Sequence, residues 1–417
     1  MVPAPVNLVL TIKNLSSTDK PILLANCKTL AHICESQDTR AAAFSAGAIP
    51  ALVKLLSYDN IGVQEAAVYP LRNICIHQPA AAAALRQNAI QPLVQIISSK
   101  KSAHEHATYP LGNIYCCEEA RPVSVNTNAM KLLVKLLAPS STTAVLQGAC
   151  HALVYICYWQ DDARKKALSA GAIRALIKLL SHDNCWVQEA AVYPLRKICM
   201  YQPTATEALH QNAIPRLVRI ISSDNSSAHE HASYALGNIV CCREAEITAV
   251  AAGAIVPLVK LLASNRIDVL RAVCHALAYI CYSNDGAHAK ALDASVIPVL
   301  IRLLSSDDYG VQEAAVYPLR KICMYQPTAT AALCQNVIPP LVHIISSDNS
   351  SAHEHAAYAL GNIFCCEEAK IVLIKQNAIE PLCKLLESNN ANIQQGARHA
   401  LEACRSIDCV SQPFLLV

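Results

Sequence analysis

An all-α solenoid of stacked helical repeats is predicted by three observations. VQEAAVYPLRKICMYQPTAT occurs letter for letter at Val187 to Thr206 and at Val311 to Thr330, and a looser copy begins at Val63, with an offset of 124 residues each time. IISSDNSSAHEHA stands at Ile220 to Ala232 and again at Ile344 to Ala356, with SAHEHA at Ser102 to Ala107. Apolar anchors at Ile49, Ile90, Met130, Ile173, Ile214, Ile255, Ile297, Ile338 and Ile379 follow one another at 40 to 43 residues. Self-similarity at the shorter period marks an array of small helical units, each burying its apolar face on its neighbours. The longer period is then a block of three such units.

Taken in order, a helix is predicted over Val6 to Leu15 and a long one over Pro21 to Cys34, so the chain opens inside a repeat. From Thr39 the unit is regular. A short Ala-rich helix (Arg40 to Ser45) leads to an apolar second helix (Ile49 to Leu56), a polar turn (Ser57 to Asn60) and a long third helix (Val63 to His77). The turn before the second helix carries Gly47, Gly171 or Gly253 in some units and Asn88, Asn128, Asn212, Asn336 or Asn377 in others. Gly and Asn tolerate the left-handed conformation that ends a helix. Pro50, Pro92, Pro215, Pro257, Pro298, Pro339 and Pro381 open the second helices, where a missing N–H costs least. Pro70, Pro110, Pro194 and Pro318 are expected inside third helices.

Three kinds of unit alternate. Type A carries VQEAAVYPL (from Val63, Val187 and Val311), type B carries AHEHA followed by Tyr and LGNI (from Ala103, Ala228 and Ala352), and type C carries His-Ala-Leu (His151, His275 and His399). The order is C, then A, B, C three times, which makes ten repeats. The expected divisions are an incomplete opening repeat at 1–38, nine repeats over 39–409 and an apolar tail at 410–417.

Composition narrows the class of function. Hydrophobic residues make up 53% of the 417 and only 11 are Gly, so the apolar surface suffices for a continuous core. Charges or turn residues break every apolar run before it reaches the length of a membrane span. A net charge of +3, from 34 basic and 31 acidic residues, gives no strong attraction to nucleic acid or an anionic membrane, and neither is expected as a partner. Most of the 20 cysteines recur at fixed repeat positions, as Cys75, Cys199 and Cys323 do, or the pairs Cys116-Cys117, Cys241-Cys242 and Cys365-Cys366. They read as reduced core thiols in a reducing compartment. No CxxC pair is present. His104-Glu105-His106 and its copies have the wrong spacing to share one metal ion on a helix face. No cofactor is expected, and triplicated polar residues suit a repeated binding surface better than an enzyme active site.

Three helices per unit is the armadillo pattern. GAIPALVKLL (Gly47 to Leu56), VQEAAVYPLRNI (Val63 to Ile74) and YALGNI (Tyr234 to Ile239, Tyr358 to Ile363) resemble the armadillo repeats of the importin α family, and the likeness spans nearly the whole chain. The resemblance implies an armadillo-repeat right-handed superhelical solenoid whose third helices line a groove. There a Trp and an Asn four positions on would grip an extended basic nuclear localisation signal, and in this chain Tyr stands at the Trp position. Residues i and i+4 share a helix face, and an Asn amide both donates to and accepts from a peptide backbone.

Carried over by position, the Tyr and Asn pairs are Tyr69/Asn73, Tyr109/Asn113, Tyr234/Asn238 and Tyr358/Asn362. Tyr193 and Tyr317 face Lys197 and Lys321 instead, and type C units carry His151/Tyr155, His275/Tyr279 and His399/Ala403. A Lys on this face would repel a basic ligand. Glu65 and Glu105 lie four residues before their Tyr, and His106 falls near the Tyr109/Asn113 face. The implied role is a non-catalytic adaptor in nuclear protein import, cytoplasmic and nuclear, that takes protein cargo. The family's basic importin-β-binding segment has no counterpart, since no Arg precedes Arg40, so that partner is not expected. The alternative is a general armadillo scaffold for non-basic protein partners.

Overall fold

The computed structural model describes residues 6–99, 104–120, 122–123, 128–224, 227–366, 369, 372 and 376–405. Every regular element among them is helical. Ten long third helices recur: α1 (Lys20–Ile33), α2 (Ile61–Ile74), α3 (His104–Tyr115), α4 (Thr143–Tyr158), α5 (Cys185–Ile198), α6 (His229–Ile239), α7 (Ile267–Ile280), α8 (Tyr309–Ile322), α9 (Ser350–Phe364) and α10 (Ala391–Arg405). A second helix precedes each one, from Val6–Asn14 to Ile379–Leu385, so the predicted count of ten stands. Two compact units result, residues 1–211 and 212–417. The division falls between a first and a second helix. In the first unit α1 to α5 pack each on the next, and in the second α6 to α10 do the same.

The repeated 20-residue stretch explains its own geometry. Val63, Ala67, Val68, Leu71 and Ile74 of α2 are fully buried, a stripe at helical spacing that faces the core. The next residue, Gln64, turns back and donates to the Tyr58 carbonyl at 2.8 Å, and Gln188 and Gln312 repeat the clamp on His182 and Ser306. The turn residue caps the helix: Asn60 Oδ1 accepts from Val63 N at 3.2 Å, and Asp308 Oδ1 from Gly310 N at 2.7 Å. Because the cap is at Asn60, α2 starts two residues before the predicted Val63. It stops at Ile74 rather than His77, since His77 already caps the following helix with Pro79 in its first turn. Pro70, Pro110, Pro194 and Pro318 lie inside their helices and are buried.

Gly47, Gly171 and Gly253 have φ near +80°, and Asn88, Asn212, Asn336 and Asn377 lie between +49° and +61°. Two departures occur. Asn128 has φ −72°, and Ser295 takes the left-handed position with φ +59°. The cysteine expectation holds for Cys34, Cys75, Cys157, Cys199, Cys281 and Cys323, all buried. Burial pushes the Cys34, Cys157 and Cys281 thiols up to about 12. It fails for Cys241, Cys242 and Cys365, all exposed; α6 ends at Ile239 and leaves the first two in the connecting turn. The apolar tail at 410–417 lies outside the described residues.

Candidate functional site

Because residues four apart share a helix face, α2 presents Glu65, Tyr69 and Asn73 in one row, and α3 presents Glu105, Tyr109 and Asn113. All six are half-buried. The rows meet across the helices. The Tyr69 ring lies 5.0 Å from His106, and the Tyr109 ring 5.5 Å from His151 of α4. His151 in turn meets Tyr155 edge-on at 5.0 Å. Tyr193 continues the row on α5, with the Lys197 ammonium 5.9 Å from its ring.

The second unit repeats the ladder. Tyr234 lies 5.4 Å from His275, His275 4.7 Å from Tyr279, and Tyr279 6.4 Å from Tyr317. Tyr317 stacks on His355 at 4.8 Å, and Tyr358 lies 5.4 Å from His399.

The Asn side chains tie one repeat to the next. Asn73 Nδ2 donates to the Ala31 carbonyl of α1 at 2.9 Å, and Asn362 Nδ2 to the Arg320 carbonyl of α8 at 2.9 Å. In each type B unit the Asn oxygen pairs with the His of the following type C helix: Asn113 with His151 Nε2 at 2.9 Å, and Asn238 with His275 and Asn362 with His399 at 3.1 Å. An amide oxygen only accepts, so each of these rings carries its proton on Nε2.

The Gly before each Asn makes room for the ring. A Cβ on Gly112, Gly237 or Gly361 would come within 2.4–2.5 Å of the His Cδ2. The motif Leu-Gly-Asn is thus a socket for the histidine of the next repeat, which the sequence did not reveal. Asn73 Oδ1, Asn113 Nδ2 and the buried His106 Nδ1 keep hydrogen-bonding capacity with no partner among the described residues.

The chain's own cations sit on this aromatic face. The Arg72 guanidinium lies 4.1 Å over the Tyr109 ring, and Arg320 lies 3.7 Å over Tyr358, a favourable placement of a cation on a π face. Lys197 and Lys321 are buried, with ammonium groups 3.9 Å over Tyr158 and 4.0 Å over Tyr282. Burial, with Arg320 nearby, lowers the Lys321 pKa against the opposing pull of Glu354. At the equivalent place in the opening units, Glu35 replaces the Tyr and Asn73 the Lys.

Two acidic residues of the row are paired internally. Glu354 pairs with Arg320 at 3.0 Å and Glu230 with Arg266 at 3.7 Å. Burial lowers the His106 pKa, Glu105 and Glu65 oppose it and Arg72 reinforces it, so these four groups share one local field. Burial also holds His151 down at about 4. Among the described residues no three His, Cys, Asp or Glu side chains converge on a metal position. No single described helix is long and apolar enough to cross a membrane.

The armadillo/beta-catenin-like repeat family matches at residues 36–76, 243–282, 290–324, 329–364 and 366–397. An engineered protein solved by the Northeast Structural Genomics Consortium is 30% identical over 96% of this chain and 99% of its own, with a TM-score of 0.84. The chain belongs to the armadillo-repeat family. Two further engineered proteins from that consortium are each 30% identical to this armadillo protein over 56% of its length. They are covered over 98% and 97% of their own length, with TM-scores of 0.53 and 0.54. No curated protein matches it.

Proposed function

We propose that this armadillo protein is a non-catalytic adaptor that holds an extended segment of a partner protein along the Tyr–Asn face of its third helices, and that the segment is neutral or acidic. Arg72 over Tyr109 and Arg320 over Tyr358 carry the reading. A ring face that already holds a guanidinium gives a ligand Lys or Arg no slot there, and a second cation would meet repulsion. Backbone recognition has its groups in Asn73 Oδ1 and Asn113 Nδ2, one acceptor and one donor on adjacent repeats. Armadillo repeats generally bind protein segments, which agrees with this use of the face.

A second reading, recognition of basic nuclear-signal cargo by an importin-α-like adaptor moving between cytoplasm and nucleus, is favoured by Glu65 and Glu105 beside the same Tyr rings. The test is fluorescence anisotropy of a labelled Glu-rich peptide against the protein and against Asn73→Ala/Asn113→Ala, with helical signal and unfolding midpoint followed in parallel. Binding lost in a variant that remains folded supports the face. Binding unchanged in that variant removes it.

A further inference from the structure

A pocket of about 430 Å³ opens in the second unit between α6, α7, α8 and α9. Tyr234 and His275 form one wall, Tyr317 and His355 the other, and Arg271 and Glu313 also line it, with Cys274 and Ala314. The corresponding positions one block earlier are Tyr109, Gln147, Cys150, His151, Trp186, Glu189, Ala190, Tyr193 and His231. Seven of the nine residue types are the same. Only two differ, Arg271 for Gln147 and Gly310 for Trp186.

Those two changes act together. A Cβ on Gly310 would lie 2.2 Å from Arg271 Nη2, so the guanidinium rests against the bare backbone of Gly310 and would have to swing aside for a larger residue. Arg271 is exposed and forms no ion pair among the described residues. The carboxylate of the neighbouring Asp308 is engaged in capping α8.

His355 is oriented as a donor. Arg320 Nη1 lies 2.9 Å from His355 Nδ1, and since a guanidinium only donates, Nδ1 accepts and the ring proton is on Nε2. Arg271 supplies donors between the tyrosine rings, beside the His355 ring and against the single carboxylate of Glu313 among the lining residues.

We propose that this pocket is the anchor for an acidic side chain of the bound peptide, its carboxylate on Arg271 and its stem between Tyr234 and Tyr317. The proposal rests on the peptide-binding reading above and adds where and by what chemistry the peptide is anchored. Gly310 is the specificity-determining position, because Trp at the equivalent place would fill the space that Arg271 occupies.

The experiment titrates two labelled peptides, one Glu-rich and one with every Glu replaced by Gln, against the full chain, Arg271→Gln and Arg271→Gln/Gly310→Trp. Both substitutions install residues the chain already carries one block earlier. A charge-assisted hydrogen bond predicts a preference for the Glu peptide of about 10-fold or more in the unaltered protein, falling to near unity in both variants. Equal binding of the two peptides by the unaltered protein overturns the pocket and leaves the peptide face standing. A preference that survives Arg271→Gln has the same consequence. Failure of both peptides to bind overturns the peptide face and the pocket with it.

Discussion

Gly237→Ala separates helix propensity from the packing described above, because the two predict opposite signs. In an exposed helix interior, Ala in place of Gly stabilises by about 1 kcal/mol. Here the new Cβ would lie 2.5 Å from His275 Cδ2, 3.0 Å from its Nε2 and 3.2 Å from Ala276 Cα. The ring has to leave its socket. That strands the Asn238 oxygen, at a cost of about 1–3 kcal/mol for a half-buried acceptor, and weakens the contacts of His275 with Tyr234 and Tyr279, about 0.5–1.5 kcal/mol for an aromatic pair. Displacing the Ala276 backbone adds about 1–3 kcal/mol of overpacking. After the propensity gain, the net expectation is a loss of about 1.5–6.5 kcal/mol.

In a repeat array the damage concentrates at the interface between neighbours, so hydrogen exchange should quicken first at the amides of α6 and α7. Urea unfolding gives the total. His275→Ala alone should cost less than Gly237→Ala, and adding it to Gly237→Ala should recover part of the loss, a coupling that a double-mutant cycle reads directly. A stabilised Gly237→Ala protein with unchanged exchange would refute the socket.

Acid should destabilise the first unit between about pH 6.5 and pH 4. His151 has its folded pKa depressed to about 4 by burial, so the unfolded chain takes up the proton first. Its contribution is fully present above 6.5 and declines as pH falls, by up to about 3 kcal/mol. An unfolding midpoint that stays level from pH 7 to pH 4.5 contradicts this. Arg72→Ala/Arg320→Ala vacates two aromatic faces and should tighten binding of a Lys-rich peptide by about 2- to 30-fold, the range of a cation–π contact, measured by anisotropy at fixed salt. Thiol labelling of the native protein should mark Cys185, Cys241, Cys242, Cys334, Cys365 and Cys383, which are exposed. Buried Cys75, Cys150, Cys274 and Cys323, whose pKa values burial raises, should react only after unfolding; peptide mass mapping decides it.

Most of the fold was legible because a solenoid writes its packing into a period. The anchors from Ile49 to Ile379 and the Val63, Ala67, Val68, Leu71 stripe are local patterns, and local patterns determine where helices form and which face they bury. The Tyr and Asn rows came from the resemblance to the importin α family, and i, i+4 spacing explains only why each pair shares a helix face. What lay between helices was not legible. Arg72 reaches a ring 37 positions away at Tyr109, and Lys197 one 39 positions away at Tyr158, distances at which spacing carries no information. The socket needed Gly112, Asn113 and His151 at once, although its three copies repeat the same trio. Ser295 escaped because Ser is an uncommon choice for positive φ, and Asn128 misled because Asn permits that conformation without requiring it.

The most direct test of the cation-occupied aromatic face is a paired titration at physiological salt, with a Glu-rich and a Lys/Arg-rich labelled peptide of equal length against the same protein. The arrangement of Arg72 on Tyr109 and Arg320 on Tyr358 predicts that the acidic peptide binds and the basic one does not. Tight binding of the basic peptide alone, abolished by Asn73→Ala/Asn113→Ala, would contradict the account and return the face to an importin-like groove.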